Sequence, residues 1–170
     1  MSLHAFIEYL KYKWNAKGRH GVHSPFVYDL IDHVLLDHGP ISREYIVEYP
    51  SLPLHYENMI SRLAAYYNYQ HIFCLPQPKE NVSIVSGADL LLFSETVPLQ
   101  WISMFDQYFS LLKPQGIVIV SGIHKTAEHS KEWHKLHNDE RVKMSIDLYE
   151  TGLLFFKPEF KEQQHFILKY

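Results

Sequence analysis

The sequence predicts an open α/β sheet, mostly parallel with an antiparallel edge, preceded by three helices. Three observations carry that expectation. Apolar residues recur at helical spacing in three segments of the first 70 positions. From residue 71 the pattern changes to short continuous apolar runs, of which GIVIVSG (116–122) is the clearest. Such a run suits a strand covered on both faces, as parallel sheets require. Two further apolar runs then flank Glu150-Thr151-Gly152, a hairpin turn signal.

Taken in order, residues 2–14 place Leu3, Phe6, Ile7, Leu10 and Trp14 on one helical face, which predicts an amphipathic docking helix. GRHGVH follows as a turn. Ser24 suits an N-cap and Pro25 the first helical position, where its missing N–H costs nothing. Phe26, Val27, Leu30, Ile31, Val34 and Leu35 continue that helix, and Gly39-Pro40 ends it. Residues 41–53 read as irregular, with Pro50 and Pro53 as breakers. Residues 55–68 are helical again, with Met59, Ile60, Leu63, Ala64 and Tyr67 inward.

HIFCL (71–75), NVSIV (81–85) and ADLLLF (88–93) read as short buried strands. Ser94 to Leu112 is a loop and a helix, with Ile102, Phe105, Phe109 and Leu112 on its core face. LKPQG interrupts the chain before GIVIVSG. Residues 126–138 form a polar helix anchored by Trp133 and Leu136. VKMSIDLY (142–149), GLLFF (152–156) and HFILKY (165–170) are expected as the closing strands. The expected organisation is one domain, with a helical part at 1–70 and an α/β part at 71–170.

Composition narrows the function classes. The chain has 170 residues, 46% hydrophobic and 21% charged, an ordinary globular balance. A net charge of −3 provides no field to attract nucleic acid or anionic lipid, so neither is expected as a partner. Cys74 is the only cysteine, which excludes an internal disulfide and a four-cysteine zinc site. It reads as a small buried apolar residue. No apolar run approaches the ~20 residues of a membrane helix, and the first residues lack a signal-peptide stretch. A cytoplasmic protein is the expectation.

SLLKPQGIVIV resembles the helix–turn–strand that class I S-adenosylmethionine (SAM) methyltransferases write as LLKPGG followed by an apolar strand. IDLYETGLLFF resembles the closing antiparallel strands of the same fold. The match narrows to bacterial O-methyltransferase-like proteins through GRHGVHSPFVYDLIDHVL (18–35), GIHKTAEHSKEWHKLH and the terminal HFILKY, in that order. The resemblance implies a Rossmann-like methyltransferase sheet, shortened in its first half. It covers both ends and most of the second half of the chain.

The middle departs from that pattern. A SAM cradle needs a tight turn after the first strand, where glycine lets backbone N–H groups approach the ligand. No glycine lies between residues 40 and 86, and HIFCL runs into Pro76-Gln77-Pro78, each proline removing a donor. Only residues 76–87 separate Leu75 from Ala88, whereas a βαβ unit takes about 30 residues. The resemblance also implies an Asp at the end of the fourth strand and another after the fifth, used for a divalent metal or for catalysis. Ser94-Glu95 and Ser121-Gly122 stand there instead. One carboxylate is too few for a hard cation, so no metal is expected. A vestigial cofactor site would lie near Leu75, Pro76, Ser94 and Ser121.

The leading expectation is therefore a methyltransferase-like chain that needs no cofactor and works as a structural or interaction domain, as a homodimer or with a protein partner. The alternative is an active SAM-dependent methyltransferase with an atypical site served by Glu95 and His124. Two other clusters carry candidate chemistry. Arg19, His20 and His23 before the Ser24-capped helix form either an anion contact or a packing turn. His134 and His137, with His129, Glu128 and Glu132, have a spacing that permits a metal, but a helix polar nearly all round reads more simply as solvated surface. Tyr66, Tyr67 and Tyr69 read as core and rim packing.

Overall fold

The computed structural model describes residues 2–37, 39, 54–75, 87–94 and 100–170. The NVSIV strand, the irregular 41–53 segment, Pro76 and Glu95 lie outside the described residues. The chain divides into two compact units, one of residues 1–16 with 71–169 and one of residues 17–70 with Tyr170. The first helix therefore belongs with the sheet and not with the helices that follow it.

In the helical unit, Arg19–Gly21 forms a 3-10 turn. Helix α2 spans Pro25–Leu30, with the Ser24 hydroxyl accepting from the Val27 N–H. It continues as a π-helical turn, Ile31–Leu35. Val27, Leu30, Ile31, Val34 and Leu35 are buried as their spacing predicts. Phe26 is half-buried and stacks on Tyr67, ring centroids 6.5 Å apart. Helix α3, Leu54–Tyr67, buries Tyr56, Met59, Ile60, Leu63 and Ala64. The three tyrosines near its end are in ring contact: Tyr66 edge-on to Tyr67 at 5.1 Å, and Tyr67 stacked on Tyr69 at 5.5 Å.

Among its described residues the other unit holds six strands: β1 (Ile72–Leu75), β2 (Ala88–Phe93), β3 (Leu112–Ser121), β4 (Met144–Asp147), β5 (Thr151–Phe155) and β6 (Gln164–Ile167). Their order across the sheet is β1-β2-β3-β5-β4-β6. Only β5 runs against the others; it pairs antiparallel with β3 and β4, while β1–β2, β2–β3 and β4–β6 are parallel. The expected mostly parallel sheet with a reversed closing strand is thus present.

The continuous apolar runs fall where both faces are covered. Leu91, Phe93, Val118, Val120 and Leu154 on one face share a core with Trp101, Phe105, Trp133 and Leu136. The first two belong to α4 (Trp101–Tyr108) and the last two to α5 (Ala127–His137). Leu90, Leu92, Ile117, Ile119 and Leu153, which alternate with them, are equally buried. LKPQG interrupts the register more than the chain: Leu112 already pairs with Ala88, but Leu90 then pairs with Ile117. Cys74, in β1, is half-buried, and burial raises its thiol pKa.

Three expectations need correction. The hairpin turn is Leu148–Glu150 and not 150–152, since the Leu148 N–H donates to the Thr151 carbonyl at 2.9 Å. Gly152 lies inside β5, and the reason is steric: a Cβ there would sit 2.4 Å from the Trp133 ring. The core helix also ends earlier than expected, with Leu112 passing into β3.

The third correction concerns α1, Leu3–Asn15. Its apolar stripe does not dock; the opposite face does, burying Ala5 and Tyr12. Specific polar contacts outweigh apolar area here. The Tyr12 hydroxyl donates to the Leu168 carbonyl at 2.6 Å in a buried setting. The Tyr149 hydroxyl donates to the Ala5 carbonyl at 2.7 Å. His4 Nε2 and Ser130 Oγ are 3.0 Å apart. Tyr149 itself has φ 74°, a left-handed conformation uncommon for a bulky side chain. Its backbone N–H is held by the Asp147 carboxylate at 2.8 Å.

Candidate functional site

Because β1, β2, β3, β4 and β6 run the same way, their carboxyl ends share one edge of the sheet, where ligands bind in α/β folds. Along the β1–β3 part of that edge the groups are bonded to one another. The Ser94 N–H donates to the Leu75 carbonyl at 2.9 Å. The Ser121 hydroxyl donates to the Phe93 carbonyl at 3.3 Å. The indole N–H of Trp101, a residue only 1% exposed, donates to the Ser94 carbonyl at 3.2 Å. Leu75, Ser94 and Ser121 are all buried, linked through the end of β2, with the Trp101 indole bonded at Ser94.

The polar part of the edge lies farther along, around β4 and β6. His124 follows β3 after Gly122, whose φ of 74° suits glycine. Its Nε2 is 2.7 Å from the Asp147 carboxylate at the end of β4, and its Nδ1 is 3.1 Å from Ser130 Oγ. Glu8 of α1 approaches the same ring at 3.9 Å. On the other side of Asp147, His165 of β6 bonds Ser145 Oγ at 2.7 Å. His165 stacks on His137, centroids 4.3 Å apart and 15° from parallel. His137 Nε2 is 3.0 Å from His134 Nδ1. These histidines, with Glu8, Lys11, Tyr12, Trp133 and Asp147, line a cavity of about 150 Å³.

The electrostatics follow from burial. Burial and the neighbouring His165 and His134 push the His137 imidazole down to about 4, against a partial pull from Asp147. His165 is lowered too, chiefly by burial. Burial alone would raise the Asp147 carboxyl, but the hydrogen bond and charge of His124 and the Tyr149 N–H outweigh it and hold it below the usual range. The pocket thus sets His137 and His165, both held towards the neutral form, beside the carboxylate of Asp147, held towards the ionised form. Among the described residues, no group of three or more His, Cys, Asp or Glu is placed to hold a metal ion.

Ser130, His124 and Asp147 have the connectivity of a nucleophile, a base and an orienting carboxylate. The geometry favours a different use. Ser130 is buried and shared with His4 of α1, so the chain of bonds ends on a docked helix and not on open space.

Other expected residues fall elsewhere. The Arg19 guanidinium grips Asp32 in a two-pronged pair, 2.6 and 2.7 Å, and lies over the Tyr28 ring at 5.2 Å. Its fork is therefore occupied, while His20 and His23 are exposed and Ser24 caps α2. The solvated-surface reading of the α5 histidines holds for His134, which is exposed, and is corrected for His129 and His137, 5% and 8% exposed. Trp133 draws that side of the helix onto the sheet, and the histidines go with it. Ser130, Asp147, His165 and Glu8 were not singled out in the sequence. Asp147 and His165 interrupt apolar strands, which is the one signal that marks them.

No family model matches the chain, and neither curated proteins nor solved structures give a match. Among the described residues, no helix is long and apolar enough to cross a membrane.

Proposed function

We propose that this chain is a methyltransferase-like domain that has lost SAM binding and catalysis and works as a structural or protein-interaction domain in the cytoplasm. The observation that carries the reading is Trp101, buried at the carboxyl end of β2 with its N–H on the Ser94 carbonyl. A cofactor cradle needs free main-chain donors approaching from that edge. Here the Ser94 N–H is taken by the Leu75 carbonyl, and the Trp101 indole is bonded to the Ser94 carbonyl. The reversed β5 beside β3 agrees with the fold that the resemblance implies.

Millimolar SAM or S-adenosylhomocysteine is expected to leave the melting temperature unchanged. A ligand at a hundred times its dissociation constant would add about 2.7 kcal/mol, or roughly 5–10 °C for a chain of this size. A shift of that kind ends the proposal.

A second reading, an active SAM-dependent methyltransferase using Glu95 and His124, is favoured by one observation: Asp147 orients His124 as a base would need. The cavity beside it weighs against this reading. At about 150 Å³ it falls below the ~300–1,000 Å³ of ordinary ligand sites. The same titration separates the two.

A further inference from the structure

We infer that the outer face of α1 is the surface through which two copies of this chain pair. This deepens the interaction reading above by naming the partner, and rests on it for its functional meaning. Leu3, Phe6, Ile7, Leu10 and Trp14 are 75%, 45%, 42%, 52% and 90% exposed. At spacings of three and four they form one continuous stripe. The stripe runs the length of a 13-residue helix, about 20 Å at 1.5 Å per residue.

The stripe cannot be relieved by rotating the helix inward. Its other face is committed through the Tyr12–Leu168, Tyr149–Ala5 and His4–Ser130 bonds. Turning it would bury large side chains at the cost of three buried or half-buried polar contacts.

Area selects the occupant. With ~150–250 Å² for a large aromatic and somewhat less for Leu or Ile, the exposed fractions amount to on the order of 600 Å². That is the upper end of what a monomer ordinarily displays, ~300–600 Å² for its largest patch. Doubled across a two-fold axis it reaches about 1,200 Å², the lower bound of specific interfaces. A straight uncharged stripe is also self-complementary when a second copy lies antiparallel to it, as a closed two-fold contact demands.

A membrane surface fits less well. Interfacial helices carry a strongly basic polar face, whereas the face of α1 opposite the stripe docks on its own sheet through Ala5 and Tyr12, and beside it the exposed Lys11 is paired with Glu8. The chain as a whole carries −3.

Sedimentation of the full chain from about 1 to 200 µM tests the inference, a range that reaches the weak pairing common at the lower size limit of specific interfaces. The expected result is a mass rising from 20.1 kDa to twice that value. Leu10→Glu should hold the protein monomeric throughout, with unchanged circular dichroism and, at about 1 µM where the parent is also largely monomeric, an unchanged melting temperature. Trp14→Ala, at the most exposed position, should weaken pairing at least tenfold and serves if Leu10→Glu does not fold. A wild-type chain that stays monomeric at 200 µM overturns the inference, as does a dimer indifferent to both substitutions. So does a monomer that co-sediments with phosphatidylcholine–phosphatidylglycerol vesicles through Leu10. None of these outcomes depends on whether SAM binds, so the two proposals fail separately.

Discussion

Replacing Trp133 with Ala is expected to cost about 3–5 kcal/mol, the range for removing a fully buried large aromatic, and to lower the melting temperature by roughly 10 °C or more. Trp133 is 1% exposed and belongs to the core shared by β2, β3, β5 and α4. Its ring lies so close to β5 that no side chain fits at position 152. It also anchors the face of α5 that carries His137, the two rings 5.4 Å apart. Loss of the indole should therefore loosen the histidine pocket as well as the core. Thermal melts give the stability change. Imidazole proton resonances followed against pH give the second effect: His137 should move up from about 4 towards an ordinary value. A variant that melts within 2 °C of the parent would show that the α5–β5 contact contributes little.

Acid is expected to destabilise the protein well above the pH at which carboxylates titrate. His137 is held near 4 when folded, against 6.5 for the free side chain. It therefore takes up a proton more readily when the chain is unfolded, and stability falls as pH drops from about 6.5 towards 4. His165, also lowered by burial, contributes in the same sense. Asp147, lowered below its ordinary value, adds stability that disappears only at still lower pH. From pH 8 to pH 5 the loss attributable to His137 is on the order of 1–2 kcal/mol, a few degrees in melting temperature. Melts of the parent and of His137→Gln at pH 8, 6, 5 and 4 test this. The variant should show a shallower decline over the same range. Equal slopes would mean that His137 is not protected from protonation.

The inner part of the sheet was legible because β2, β3 and β5 carry apolar runs, LLLF, IVIV and LLF, and the rule relating such runs to two-sided burial is strong. ADLLLF became β2 without a shifted residue, and the buried positions of α2 and α3 followed from spacing alone. Two features were not legible, for different reasons. In α1 the larger apolar face was expected to dock, yet three hydrogen bonds to partners more than 120 residues away decide the orientation. Periodicity cannot register partners that distant. In α5 the hydropathy of histidine suggested solvent, but one tryptophan and the stacked pair of His137 and His165 bring that side inward. The polar groups of the pocket converge from α1, α5, β4 and β6, one strand pair beyond Ser94 and Ser121, and spacing along the chain cannot bring together positions so far apart.

The bond between Tyr12 and Leu168 spans 156 positions of the chain, and it sets an order of events during synthesis. At about 5–20 residues per second, roughly 10–30 s pass between the emergence of α1 from the ribosome and the arrival of its seat. For that interval both faces of the helix stand bare, the tyrosine face as well as the leucine one. The helix is thus fastened only once β6 and the residue after it have been made.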